Sequence, residues 1–347
     1  MPSVQTGAFT ILRERTPLPV AVVAAISDVQ VRNEINMPGM FDFTFSMMSE
    51  GGNWQGINLD TFKPGDDITI QLGLDRLQTV IIGEITAIEP RFGAYSTATI
   101  RGFDRMYRLQ FGNHTRVFEN LSDNDIVSQV AGSAGLAVSA RGTRTEINGY
   151  VQQRRQSNYQ FLLKRGAQIN HELLMDGTTL VFRPSAEGQS PIRTLDFPRD
   201  VDRVDLDLKV PTQGSTVTVR SFDPANNQPI SAASRAGGPS DRMGGRQNGY
   251  GMAGDFPDSA ITIEQLSITS VEALQVVADA QYQANLNRFI QGSATLVGDP
   301  NLNAGVNIRL KGLSPRFDGI YYVTAATHRY DDKSGYATDI RLRRTGA

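Results

Sequence analysis

The sequence predicts a mainly β chain, α+β overall, in which two similar antiparallel β units flank a small inserted α+β module. Three observations predict it. Apolar residues alternate with polar ones near both ends, helix-start signatures are confined to residues 122–272, and the two ends echo each other in letters. With 347 residues the chain exceeds one small core and suits two or three domains.

The first unit spans residues 1–110. Phe41 to Phe45 alternates strictly, and Ile68, Ile70 and Leu72 recur at every second position, the period of a half-buried strand. Turn-forming runs separate these stretches: Met37-Pro38-Gly39, Glu50-Gly51-Gly52-Asn53 and Lys63-Pro64-Gly65-Asp66. The Val-rich run Val20 to Ile26 is far too short to span a bilayer and is expected as a buried strand, with no targeting segment before it.

The inserted module spans residues 111–205. Ser122 with Asp125, and Ser157 with Gln160, are capping boxes, each opening a helix. The Asp176-Gly177 pair inside ELLMDGTTLVF is a two-residue hairpin signal.

The second unit is expected from residues 206–228 and 292–347, with Val217 and Val219 alternating in its first part. Residues 229–291 interrupt it. They hold a Gly-rich stretch, Arg235 to Gly254, too poor in large apolar residues to bury and expected as a mobile surface loop. The longest helical pattern follows, from a third capping signature at Thr269 and Glu272 to about Phe289.

The ends match in order. Ile68 and Ile70 fall against Ile308 and Leu310, Thr86-Ala87 against Thr324-Ala325, and Tyr95-Ser96-Thr97 against Tyr336-Ala337-Thr338. TIRGFD, from Thr99, also echoes TVRSFD, from Thr218. Shared β propensity alone can produce such short matches, but three segments in one order favour duplication. Two similar barrels per chain would place six similar units around the axis of a homotrimer, a pseudo-hexameric ring.

Composition narrows the function. Net charge is −2 and the pI about 6.0, so no basic field draws the chain to nucleic acid or an anionic membrane, despite local Arg141, Arg144, Arg154 and Arg155. The absence of cysteine removes disulfides, thiolate nucleophiles and zinc–thiolate sites. The histidines are His114, His171 and His328, and none lies in a His-Glu-x-x-His pair. No Gly-x-Ser-x-Gly elbow or Walker lysine appears, and Asp331-Asp332-Lys333-Ser334-Gly335 reads as a hairpin turn, not a calcium loop. No catalytic, cofactor or metal residue is assigned.

The closing segment, GDPNLNAGVNIRLKGLSPRFDGIYYVTAATHRYDDKSGYATDIRLRR, resembles that of phage late-control D proteins and of the hub portion of VgrG proteins. Gly305, Gly312, Phe317, Gly319, Tyr321, Tyr322, His328, Gly335, Tyr336 and Thr338 carry the likeness, and Arg101 to Leu109 and Gln156 to Asn170 also fit. The resemblance implies tail-tube-like barrels and a structural baseplate hub. In a contractile tail or injection system such a hub adapts a sixfold tail tube on one face to a threefold central spike on the other, beside baseplate wedge components. VgrG chains continue into a spike, so here the spike is expected to be a separate polypeptide. Assembly is expected in the bacterial cytoplasm, with no membrane insertion and no specific nucleic-acid binding. The sequence leaves open phage tail, bacteriocin-like tail or another injection particle, and contractile or non-contractile mechanics.

Two other classes fit the strand pattern. A β-rich adhesin or carbohydrate-binding module would need no duplication and would show clustered aromatics, whereas the one tryptophan, Trp54, lies in an expected turn. A tail-associated peptidoglycan hydrolase would need a carboxylate pair, and no separate catalytic segment is visible.

Overall fold

A computed structural model describes residues 7–48, 57–140, 147–235 and 241–347. The turn at Glu50 to Asn53, Trp54, Arg141 and Arg144 lie outside the described residues. The fold is mainly antiparallel β, as expected.

The first unit holds β1 (Ala8–Arg13), β2 (Thr16–Pro17), α1 (Val20–Ala24), β3 (Ile26–Glu34), β4 (Met37–Ser46), β5 (Asp67–Gly73), β6 (Gln78–Arg91) and β7 (Thr97–Asp104). Its alternation is realised: Phe41, Phe43 and Phe45, with Ile68, Ile70 and Leu72, are fully buried in one cluster. The Val20 run is not a strand. Pro19 sets up a single helical turn that leaves Val20 84% exposed and buries Val22, and extended structure begins at Ile26. Five apolar letters cannot separate a turn of helix from a strand, and here proline at the helix start decides.

The middle of the chain follows with β8 (His114–Ser122), α2 (Asp123–Gly132), β9 (Ala137–Ala140), β10 (Ile147–Gln156), α3 (Asn158–Gln168), β11 (His171–Asp176) and β12 (Thr179–Pro184). Ser122 and Ser157 form both expected capping boxes, and β11 and β12 form the expected hairpin. These elements pack around Phe118, Val127, Phe161 and Phe182.

The remainder holds β13 (Arg193–Asp196), β14 (Arg203–Leu208), β15 (Val217–Asp223), β16 (Gln228–Ser234), β17 (Ile261–Glu264), α4 (Val271–Leu286), β18 (Ile290–Val297), β19 (Asn307–Lys311), β20 (Gly319–Asp331) and β21 (Gly335–Arg344). The cap of α4 is Ser270, one residue beyond the expected Thr269; its hydroxyl accepts from Ala273 N at 3.1 Å. Strands β15, β16 and β17 form a separate sheet packed on α4, so TVRSFD is not the structural counterpart of TIRGFD in β7. The echo reflects strand propensity only.

A 13-stranded sheet runs through both ends in the order β14-β18-β21-β20-β3-β4-β7-β6-β5-β1-β2, with β19 on β20 and β13 on β19. It contains one arrangement twice. In the first unit β3, β4, β7, β6, β5 and β1 are successive neighbours; in the last, β14, β18, β21, β20, β19 and β13 are. Four of the five pairings are alike. The outermost differs, since β1 runs antiparallel to β5 and β13 parallel to β19.

The match reaches single residues. Both long strands bulge at a threonine, β6 at Thr86 and β20 at Thr324, with Ala87 opposite Arg101 and Ala325 opposite Arg341. Each threonine hydroxyl points at the carbonyl of that arginine, at 3.5 and 3.3 Å. Because Arg101 corresponds to Arg341, Tyr95 does not correspond to Tyr336: the shared letters are offset by one residue, and Tyr95 is 92% exposed while Tyr336 is buried. Bulk is exchanged between the halves. Phe41 lies over Gly83 and Gly102 in the first, where the counterparts in the second are Gly292, Tyr321 and Leu342. One layer is filled from β4 in one copy and from β20 and β21 in the other, which keeps packing density.

This predicts that Gly102→Ala is destabilising, because its methyl would meet the Glu84 carbonyl and the Phe41 ring. The expected loss is about 1–3 kcal/mol in urea unfolding. An unchanged midpoint would contradict the packing described.

Candidate functional site: the joint between the two halves

The halves are fastened where β20 outgrows its own hairpin. Its first part, Gly319 to Tyr322, pairs with β19; beyond the bulge, Ala325 to Asp331 pairs with Glu34 to Asp28 of β3. His328, opposite Val31, is fully buried at this seam. Its Nδ1 lies 2.8 Å from the Tyr336 hydroxyl and 3.3 Å from Thr338 Oγ1, and its Nε2 lies 3.3 Å from Asn303 Oδ1. An amide oxygen only accepts, so Nε2 carries the proton and Nδ1 accepts from Tyr336. Asn303 Oδ1 also accepts from Asn33 Nδ2 at 2.9 Å, and Asn33 donates on to Val80 O at 3.1 Å. Thr338 Oγ1 accepts from Asp299 N at 3.0 Å. Burial pushes the His328 imidazolium down to a pKa of about 4, only partly opposed by the Asp299 carboxylate. The neutral, enclosed imidazole thus ties β20 to β21 and, through Asn303 and Asn33, to β3.

A second cluster ties the middle module to the last strands. The Tyr322 hydroxyl donates to Glu172, and the Arg343 guanidinium pairs with Glu187 and stands 3.5 Å from Glu172 Oε1 while covering the Tyr322 ring at 5.2 Å. Ser185 Oγ donates to Glu172 at 2.9 Å. Burial raises the Glu187 carboxyl above its ordinary range, and the Arg343 charge opposes it. One cation therefore serves two buried carboxylates.

The β3–β4 turn docks on the same module. Asn36, at φ +62°, donates its backbone N–H to Leu173 O at 2.9 Å, accepts from Leu173 N through Oδ1 at 2.8 Å, and accepts from the Tyr159 hydroxyl through its backbone carbonyl at 2.6 Å. Between these contacts lies a cleft of about 390 Å³ lined by Asn33, Asp104, Arg183, Asn303 and Gly305 among others. Asp104 accepts from Gly39 N at 2.6 Å and Met106 N at 2.9 Å, and its burial raises the carboxyl pKa to about 7.

The expected signature residues are distributed around this joint. Gly305, at φ +87°, lets its carbonyl take Arg183 Nη2 at 2.6 Å, and a Cβ there would stand 2.7 Å from that guanidinium. Gly312 abuts the Phe197 carbonyl, Gly319 makes room for Arg344, and Gly335 occupies the positive-φ position of the β20–β21 turn. That turn is the expected hairpin, with Asp331 Oδ1 accepting from Lys333 N and Ser334 N. The Phe317 carbonyl accepts from the Tyr321 hydroxyl at 2.7 Å, with Arg344 over the Tyr321 ring at 5.5 Å. Tyr322, His328, Tyr336 and Thr338 form the two clusters above. Sequence reasoning missed Asn33, Glu172, Glu187, Asn303 and Arg343. Their one legible trace is the arginine at each of Arg341, Arg343 and Arg344 in a strand that is otherwise built for a core.

The Gly-rich stretch departs from expectation. Residues 236–240 lie outside the described residues, but from Asp241 onward the chain is a strap over the C-terminal strand. Met243 is buried beside Tyr322; Arg246 N and Gln247 N donate to Ala347 O; Asn248 Nδ2 donates to Asp241 Oδ1 at 2.7 Å. Its glycines supply close approach in place of bulk, Gly245 against Ala347 and Gly249 against Phe289.

Among the described residues no group of His, Asp and Glu is placed to hold a metal, and no helix is long and apolar enough to cross a membrane.

No curated protein matches the chain. Among solved structures, a tail protein from Neisseria meningitidis is similar with a TM-score of 0.74 at 12% identity, over 98% of this chain and 97% of that one. The 43 kDa tail protein of prophage MuSo2 from Shewanella oneidensis also gives 0.74, at 15% identity and 98% of each chain. An E. coli protein described as a component of the type VI secretion system, and as similar to bacteriophage T4 tail proteins, gives 0.62 at 12% identity, over 97% of this chain and 77% of that one. At these identities the likeness is one of fold. A family model covers residues 3–332, nearly the whole length, and on that match the chain belongs to the Alg8 N-terminal domain family.

Proposed function

We propose that the chain is a structural hub of a phage tail or related injection machine, and not an enzyme. Three copies would form a pseudo-hexameric ring that joins a sixfold tail tube on one face to a threefold spike on the other, beside baseplate wedge components. The observation that carries this reading is the doubled strand order: one chain presents the same five-strand arrangement twice, with a sixth strand added in opposite directions, so three chains present it six times. The fold neighbours, two tail proteins and a type VI secretion component, support it. In this reading the family-signature residues are structural. His328 and Arg343 hold the two halves and the middle module in one orientation, so that tube and spike meet a rigid adapter. Assembly belongs in the bacterial cytoplasm and the finished place is the virion or particle baseplate.

The test is end-capping of tubes. Purified chain mixed with tube protein of the same particle is expected to add density at one end of each tube in negative stain, and to co-sediment with tubes. Tubes with two bare ends, and the chain left in the supernatant, would refute the hub.

A further inference from the structure

The long sheet carries two unpaired edges that correspond to its internal joint. At one end β14 pairs, among the described residues, with β18 alone. The Lys209 N–H turned to Phe289 O places the odd-numbered residues of this strand on β18, so the backbone groups of Val204, Leu206 and Leu208 face outward. The other edge is the far half of β6. Strand β5 covers β6 only as far as Glu84, and from Ala87 to Arg91 β6 is bonded, among the described residues, on its β7 side alone. In the second half the corresponding stretch, Ala325 to Asp331, is covered by β3, and the counterpart of β3 is β14.

We propose that the β14 edge of one copy of this chain pairs antiparallel with the free half of β6 in the next copy, in the register of the internal β20–β3 joint. The proposal rests on the ring reading and supplies its copy-to-copy contact. The internal pairs Ala325–Glu34, Arg329–Gln30 and Tyr330–Val29 translate to Ala87 opposite Lys209, Arg91 opposite Asp205 and Phe92 opposite Val204. In this register Ile88 meets Leu208 on the apolar face. Phe92, 71% exposed in the single chain, gains an apolar neighbour there. On the other face Arg91 meets Asp205, while Glu89 and Asp207 face each other with their own cations, Arg101 and Lys209, already in place.

The two joints are not equally strong. Pro90 stands where His328 stands in the internal joint, so it accepts from Leu206 but donates nothing, and the Asn303–Asn33 cluster has no counterpart. The ladder is short of one bond, so the contact between copies parts before the joint within each chain. The contact is head-to-tail, so it closes only if the rotation it imposes returns to the start.

The cysteine-free chain makes the test direct. Arg91 and Asp205 form a non-hydrogen-bonded pair across the proposed seam, where Cα atoms lie about 4.5 Å apart, within disulfide reach. In the double variant Arg91→Cys/Asp205→Cys, oxidation with diamide is expected to give a non-reducing ladder that ends at three chains. Its yield should exceed by about tenfold that of either single variant, or of Arg91→Cys with Asn226→Cys on a distant turn, where the reach condition fails. A trimeric mass without this cross-link overturns the edge pairing and leaves the ring. A monomeric mass without it overturns both. A ladder running past three chains keeps the edge pairing and overturns the closed ring.

Discussion

Arg343→Met is expected to lower the unfolding free energy by about 3–5 kcal/mol, the cost of leaving buried carboxylates without their cation. The methionine fills much of the space, so the loss is one of charge compensation. Glu187 is fully enclosed and Glu172 nearly so, and their carboxylates are then left with neutral donors, Ser185 and the Tyr322 hydroxyl on Glu172 and the Asn287 amide on Glu187. The triple variant Arg343→Met/Glu172→Gln/Glu187→Gln should recover a large part of the loss, because it removes the uncompensated charges along with the cation. Chemical denaturation of the three proteins measures both effects. A loss below about 1 kcal/mol for Arg343→Met, the size of an exposed ion pair, would show that the cluster is solvated in solution.

His328 and Asp104 make the stability of the joint depend on pH with opposite signs. Folding lowers the His328 pKa from 6.5 to about 4, so between those values the unfolded chain holds a proton the folded chain lacks. That contribution is complete above pH 6.5 and is lost as pH falls to 4, about 3 kcal/mol at 1.36 kcal/mol per unit. Folding raises Asp104 from 3.8 to about 7, so its contribution is complete below pH 3.8 and is lost as pH rises through 7. The windows overlap and the two slopes oppose. Between pH 4.5 and 6.5, His328→Asn should therefore grow less stable with rising pH relative to wild type, and Asp104→Asn more stable relative to wild type. Other carboxylates are common to all three proteins and cancel in the comparison. Parallel curves for the two variants would mean that neither group is buried as described.

Local signals were legible in the sequence and distant ones were not. The capping boxes at Ser122 and Ser157, the Asp176-Gly177 hairpin and the Phe41–Phe45 alternation each depend on neighbours within a few residues, so their letters suffice. The duplication was visible at Ile68, Thr86 and Ile308, but its register in the last strand was not, because Tyr95 and Tyr336 share a letter and differ in burial. The Val20 run was misassigned because a short apolar stretch does not reveal its period. The strap from Asp241 to Gly254 was misassigned because composition counts bulk, and this segment is held by backbone bonds to Ala347 and by one buried methionine. Glu172, Glu187 and Arg343 stayed hidden for a further reason: a buried ion cluster exists only once strands 150 or more residues apart have met.

The measurement closest to the central claim is the native mass of the chain by light scattering, with end-on negative-stain views of the same sample. A mass of about 114 kDa, three copies of 37.9 kDa, with annular projections of sixfold appearance is the predicted result. A uniform species of 37.9 kDa without rings, at every concentration tried, would contradict it.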